Sequence, residues 1–135
     1  MAISRLDHVN LRTANLAAMV AFYRDVLGFE AGPRPPFAFD GAWLYCGGEA
    51  AVHLVEVPRQ PETREPRIEH FAFQAEGLSA FLESLRGKGI TYRIGVVPGY
   101  EIRQVNIHDP DGNHLHIDFS RDEDADLAPY GDAEV

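Results

Sequence analysis

The sequence predicts an α+β fold: two tandem βαβββ modules forming a curved mixed sheet around a metal cleft. Two observations lead there. The same order of strand and helix periodicities runs through the chain twice, and histidines recur at matching places in the two copies. His8, in Leu-Asp-His-Val-Asn-Leu, and His70, in Ile-Glu-His-Phe-Ala-Phe, are 62 positions apart. His53, in Ala-Val-His-Leu-Val-Glu, and His116, in Asn-His-Leu-His-Ile-Asp-Phe, are 63 apart. A repeat with one early and one late histidine per copy can bring four imidazoles together, and imidazole is a ligand for divalent transition metals.

The first module, about 5–57, opens with an apolar–polar strand from Arg5 to Arg12. Asn15 is a helix-capping residue. Leu16, Met19, Val20, Tyr23, Val26 and Leu27 then recur at helical spacing, and Gly28 ends the helix. Phe29 to Gly32 reads as a strand, broken by Pro33, Pro35 and Pro36. Trp43 to Cys46, Gly47-Gly48 and Ala50 to Val57 read as a hairpin.

Residues 58–67, with three prolines and several charges, form the linker. The second module, about 68–119, repeats the order. Ile68 to Gln74 is a strand, and Leu78, Phe81, Leu82 and Leu85 are a helical stripe followed by Gly87 and Gly89. Thr91 to Val96 and Glu101 to Ile107 are strands. Asp109-Pro110-Asp111-Gly112 is a turn with proline second, and Asn113 to Phe119 closes the module. The whole of 1–119 reads as one domain.

Strand alternation assigns faces. His8, Asn10 and Arg12 share one face, as do His70, Ala72 and Gln74, and His114, His116 and Asp118. The opposite faces carry Val9 and Leu11; Phe71 and Phe73; and Leu115, Ile117 and Phe119. The apolar faces are expected to pack under the helices and the histidine faces to line a cleft. His53 has only Ala51 and Val55 beside it. His108 and His114 lie outside the repeat.

The 12 basic and 21 acidic side chains leave a net charge of −9 and no basic stripe, which argues against nucleic acid. Residues 120–135 carry six of the acids and one arginine, and read as a loosely ordered acidic tail, dispensable for the fold. No apolar run is long enough to span a membrane, and no secretion signal is visible. The single cysteine, Cys46, allows no internal disulfide, which fits a cytoplasmic protein.

Asp-His-Val-Asn-Leu at 7–11, Ala-Phe-Tyr-Arg-Asp-Val-Leu-Gly-Phe at 21–29 and Asp-Pro-Asp-Gly-Asn at 109–113 together resemble the vicinal oxygen chelate superfamily. It contains glyoxalase I, bleomycin-resistance proteins, fosfomycin-resistance transferases and extradiol dioxygenases. The resemblance covers about residues 5–119. It implies metal positions at His8, His53, His70 and His116, and a divalent transition metal (zinc, nickel, iron, cobalt or manganese). In metal-dependent members the position four residues after the turn glycine is usually glutamate; here it is His116. Bacterial glyoxalase I has glutamate where this chain has His53. Four neutral imidazoles therefore replace a mixed set, which disfavours glyoxalase I chemistry, where a metal-bound carboxylate moves the substrate proton.

Asn10, Arg12, Gln74, Arg103 and His114 are the expected substrate-binding residues, with Trp43, Tyr45, Phe37, Phe39, Tyr92 and Tyr100 as candidate walls. Arg12 matches a position that contacts the glutathione carboxylate in glyoxalase I. The resemblance implies a metal-dependent lyase, isomerase or dioxygenase acting on a small oxygenated, chelating molecule. The alternatives are a thiol transferase of the fosfomycin-resistance kind and a metal-free protein that sequesters a planar drug. A homodimer is expected, because the modules leave sheet edges that pairing would cover.

Overall fold

A computed structural model describes residues 1–132. The last three residues of the acidic tail lie outside the described residues. The fold is α+β and its elements follow the tandem βαβββ order: β1 (Val9–Thr13), α1 (Leu16–Asp25), β2 (Glu30–Gly32), β3 (Gly41–Cys46) and β4 (Glu49–Glu56), then β5 (Phe71–Gln74), α2 (Leu78–Gly87), β6 (Arg93–Val96), β7 (Arg103–His108) and β8 (His114–Phe119). The chain divides into two compact units, Met1–Arg64 and Glu65–Val135.

Each unit holds a four-stranded mixed sheet, ordered β1-β4-β3-β2 in the first and β5-β8-β7-β6 in the second. The early and late strands of each unit lie side by side in parallel, β1 with β4 and β5 with β8. The remaining pairings are antiparallel. This pairing is what positions the histidines, because it sets the first strand of each unit beside the last, the strand that carries the late histidine. The first strands are shorter than expected. β1 begins at Val9 and β5 at Phe71, where their ladders begin, with Val9 opposite Val52 and Phe71 opposite Leu115. His8 and His70 thus each stand one residue ahead of a strand.

In the first unit α1 packs on its sheet through Met19, Phe22 and Tyr23, against Phe29, Leu44, Val52 and Leu54. Asn15 is the N-cap of α1, but its side chain makes no capping bond. Its own N–H donates to the Thr13 hydroxyl at 2.9 Å instead. In the second unit Leu78, Leu82 and Leu85 of α2 are buried with Val105, Ile107, Leu115, Ile117 and Phe119. The end of α2 is closed by Gly89 at φ +68°: Gly89 N–H reaches the Arg86 carbonyl and Ile90 N–H the Leu85 carbonyl, the paired bonds of a Schellman turn. Tyr92, expected as a cleft wall, is 1% exposed and belongs to the core, with its hydroxyl accepting from Arg86 Nη1 at 2.7 Å.

The acidic tail corrects an expectation. The N-cap of α2 is Gly77, which has no side chain to satisfy the first amides. Glu123 supplies the acceptor: its Oε1 takes the N–H groups of Gly77 and Leu78 at 2.9 and 2.8 Å. Tyr130 then pairs with Tyr92 through two backbone hydrogen bonds, at 3.1 and 3.0 Å. Charge density alone concealed this, because a carboxylate that looks solvated in a run of acids is also the preferred partner of a helix N-terminus. Glu123→Ala is expected to lower stability by about 1 kcal/mol, the usual worth of a cap, read as a shift in the urea midpoint.

Candidate metal centre

The paired strands bring the histidines together two by two within each unit. In the first, β1 and β4 place Asn10 opposite His53, and β3 places Trp43 on its other side. The rings of His8 and His53 stack at 3.8 Å with an 11° angle between planes, and Trp43 stacks on His53 at 4.0 Å and 13°. His53 is therefore the middle layer of a three-ring stack. In the second unit, Ala72 lies opposite His116, and the His70 and His116 rings are 4.5 Å apart and inclined at 45°. His116 is only 6% exposed.

Hydrogen bonds sort the ring nitrogens. His8 Nδ1 donates to Asp7 Oδ2 at 2.7 Å, His70 Nδ1 donates to Glu69, and His116 Nδ1 donates to Asp118 Oδ1 at 2.5 Å. His53 donates through Nε2 to the Ala50 carbonyl at 3.0 Å. Carboxylates and carbonyls accept, so each bonded nitrogen carries the proton. Among the described residues the opposite nitrogen has no hydrogen bond and keeps its lone pair. A metal-binding imidazole has this arrangement: one N–H held by an oxygen, the other nitrogen free. The donor set therefore fits a transition metal.

His114 differs. Its Nδ1 bonds Glu69 Oε1 at 2.8 Å and its Nε2 bonds Asn106 Oδ1 at 2.8 Å. Glu69, His70 and His114 nevertheless bring one ligand atom each within 4.8 Å of one another, a spacing that would suit an ion.

Ring planes add a second distinction. A metal lies close to the plane of an imidazole that binds it, along the lone pair. The His70 and His116 rings are inclined at 45° rather than stacked. The nearly parallel planes of His8 and His53 do not meet near their nitrogens. One of the two rings must turn before they can bind together.

The partners shift the titrations in the expected directions. The hydrogen bond from His8 holds the Asp7 carboxyl below its ordinary value, and those from His70 and His114 do the same for Glu69. Burial, and then the neighbouring His8 ring, hold the His53 imidazole below the usual value of about 6.5. As pH drops from about 6.5 toward the lowered folded value, the unfolded chain takes up that proton and the folded chain does not. Stability is then lost on acidification and regained as pH rises. The urea midpoint of metal-free protein is expected to fall below about pH 6.5, and His53→Phe, which keeps a ring in the stack, to weaken that dependence.

The remaining expected residues are more dispersed. Asn10 and Arg12 are exposed on β1, and Arg12 lines a depression with Val57, Arg59, Gln60, Pro61 and Glu62. Gln74 and Asp118 face each other in register and line a depression with Glu76, Ile102 and Ser120. Arg103 donates through Nη1 to the Glu101 carbonyl, and its buried Nε has no hydrogen-bond partner among the described residues. Tyr100 is 70% exposed, while Phe37 and Phe39 stack at 4.9 Å with the Arg34 guanidinium over both.

Sequence reasoning did not single out Asp7 or Glu69. The signal for both was present: an acidic residue immediately precedes the early histidine in both copies, Asp7-His8 and Glu69-His70. Asn106 carries no such mark, since only the β7–β8 register brings it to His114.

A family model described as Glyoxalase/Bleomycin resistance protein/Dioxygenase superfamily matches residues 5–117. A search of the curated proteins finds no match. Among solved structures, an integron cassette protein from the mobile metagenome of the Halifax Harbour sewage outfall is 27% identical, with a TM-score of 0.68, covering 87% of this chain and 99% of that one. A lactoylglutathione lyase from Agrobacterium tumefaciens is 22% identical at a TM-score of 0.67, covering 90% and 97%. A glyoxylase/bleomycin resistance protein/dioxygenase domain from Frankia sp. is 19% identical at 0.72, covering 91% and 96%. At those identities the last two show likeness of fold alone.

Proposed function

The chain belongs to the Glyoxalase/Bleomycin resistance protein/Dioxygenase superfamily, and from that premise we propose that it is a metal-dependent enzyme acting on a small, oxygenated, chelating substrate. The ion is held by imidazoles drawn from His8, His53, His70 and His116. The observation that carries this reading is the state of the four rings, each with one N–H held by an oxygen and the other nitrogen free. Such a divalent ion supplies Lewis acidity to a substrate that offers it two oxygens.

The chain's own groups do the rest. Asp7, Glu69 and Asp118 orient the rings. None of the four imidazoles is an anion, so the ion would meet its negative charge only at one remove, in Asp7, Glu69 and Asp118, and an anionic substrate such as an enolate or catecholate would be its first negatively charged ligand. Asn10, Gln74 and His114 are proposed to contact the substrate's polar groups, and Arg12 and Arg103 to pair with a carboxylate or phosphate. We place the protein in the cytoplasm as a homodimer. Sedimentation at micromolar concentration is expected to return the mass of two chains, and the mass of one would contradict the dimer.

A second reading rests on a different observation. Phe37 and Phe39 are each 44% exposed although they stack on each other, which suits capture of a planar drug. Elemental analysis of the purified chain, paired with thermal-shift screening against dicarbonyls, catechols, thiols and planar drugs, separates the two. The enzyme reading expects a stoichiometric transition metal and a stabilising chelating ligand. Metal-free protein stabilised only by planar drugs would overturn it.

A further inference from the structure

The second unit contains a chain of hydrogen bonds longer than a metal ligand needs. Asn106, 8% exposed on β7, donates through Nδ2 to the carbonyls of Arg93 and Gln104 at 3.3 and 3.0 Å. Both acceptors are carbonyls, so the amide orientation is fixed and Oδ1 is the atom that faces His114. An amide oxygen only accepts, so His114 Nε2 carries a proton and donates it at 2.8 Å. The other edge of the ring faces a carboxylate, which also only accepts, so in this arrangement both ring nitrogens carry protons and Nδ1 donates to Glu69 Oε1, while Glu69 Oε2 in turn takes the Nδ1–H of His70.

The side chain of Glu69 is 69% exposed and that of His114 is 17% exposed. An exposed glutamate paired with one exposed histidine holds a single geometry poorly, because ordering the side chain costs rotamer entropy and surface pairs contribute little. Here the far oxygen is tied to a ring that is itself tied to a buried amide. The sheet register thereby reaches His70, which stands ahead of its strand with no ladder partner.

A chelate of Glu69, His70 and His114 is the competing use of the same atoms. It requires His114 to release one of its two bonds. Releasing Asn106 leaves a buried amide oxygen unpaired, and releasing Glu69 frees the carboxylate that orients His70.

We infer that Asn106, His114 and Glu69 form a positioning chain that holds His70 as its Nδ1–H tautomer and aims its Nε2 at the ion, with His114 outside the ligand set. The inference rests on the metal-enzyme reading above, but its first test does not. Two-bond proton–nitrogen NMR spectra of the metal-free full-length chain are expected to show His70 as the Nδ1–H tautomer. The same spectra should show a tautomer mixture in Glu69→Gln, whose amide cannot accept from both rings with both of its atoms. Zinc titration should then give an affinity about 10–100-fold lower in Glu69→Gln.

His114→Ala should lose less, and His114→Gln, which keeps an N–H donor, should recover most of that loss. The double variant Glu69→Gln/His114→Ala should bind zinc no more weakly than Glu69→Gln alone, since His114 acts only through Glu69. Losses that multiply in the double variant, or a His114→Ala loss as large as that of Glu69→Gln, would make His114 a ligand and overturn the inference. So would an Nε2–H tautomer of His70 in the unmodified protein. A wild-type chain that binds no zinc would sink the metal-enzyme reading instead, and the metal-free tautomers would still decide the positioning chain.

Discussion

Alanine at His116 is expected to lower zinc or cobalt affinity by about a hundredfold or more, beyond the 10–100-fold typical of losing a residue that merely orients a ligand. His116 is buried in the middle of β8, its Nδ1 is fixed by Asp118, and its ring lies 4.5 Å from that of His70, inclined at 45°. The substitution removes the free lone pair of the most buried of the four rings. His53→Ala is expected to cost less. That ring is stacked between Trp43 and His8, nearly parallel to both, so binding through it would require the stack to loosen. Isothermal titration of both variants checks the order, and an affinity for His116→Ala within threefold of wild type would remove His116 from the site.

Gly41→Ala is expected to destabilise the first unit by about 3 kcal/mol, the upper part of the range for overpacking. A Cβ at this position would lie 2.2 Å from the backbone carbonyl oxygen of Leu54 and 3.1 Å from Arg34 Nη2. The backbone oxygen cannot swing away as a side chain can, so the start of β3 must lift off β4. Two residues on, Trp43 sits opposite His53, and the displacement should loosen the three-ring stack as well. Chemical unfolding reads the loss, and tryptophan fluorescence of the folded state should report a changed environment for the single tryptophan. Unchanged stability would show that the β3–β4 ladder adapts.

Much of the fold was legible in the sequence because its signals are local and occur twice. Helical stripes such as Leu78–Leu82–Leu85 and the alternation through His114–Phe119 each declare an element. The proline at 110 and Gly112 mark the turn, where Asp109 accepts from the backbone of Asp111 and Asn113. The histidine pairs were legible for the same reason, since each repeat carries an early and a late one.

What the sequence could not show depends on register and ring orientation. Periodicity gives His53 a face but not a stack between His8 and Trp43, because that needs the β3–β4 pairing. It gives His114 and His116 the same face, and only the hydrogen bonds separate a ring with a free nitrogen from one with both engaged. Glu123 looked like one more solvated acid because its partners, the first amides of α2, are 46 and 45 residues earlier in the chain.

Cobalt(II) titration of the full-length protein, followed by visible absorption and then by addition of a small chelating anion, tests the central claim most directly. Saturable uptake of cobalt is predicted, with a spectrum that changes when the anion binds, as an ion held by imidazoles with an open position requires. Protein that takes up no cobalt, or a bound-cobalt spectrum that no chelating anion alters, would contradict a catalytic metal at these histidines.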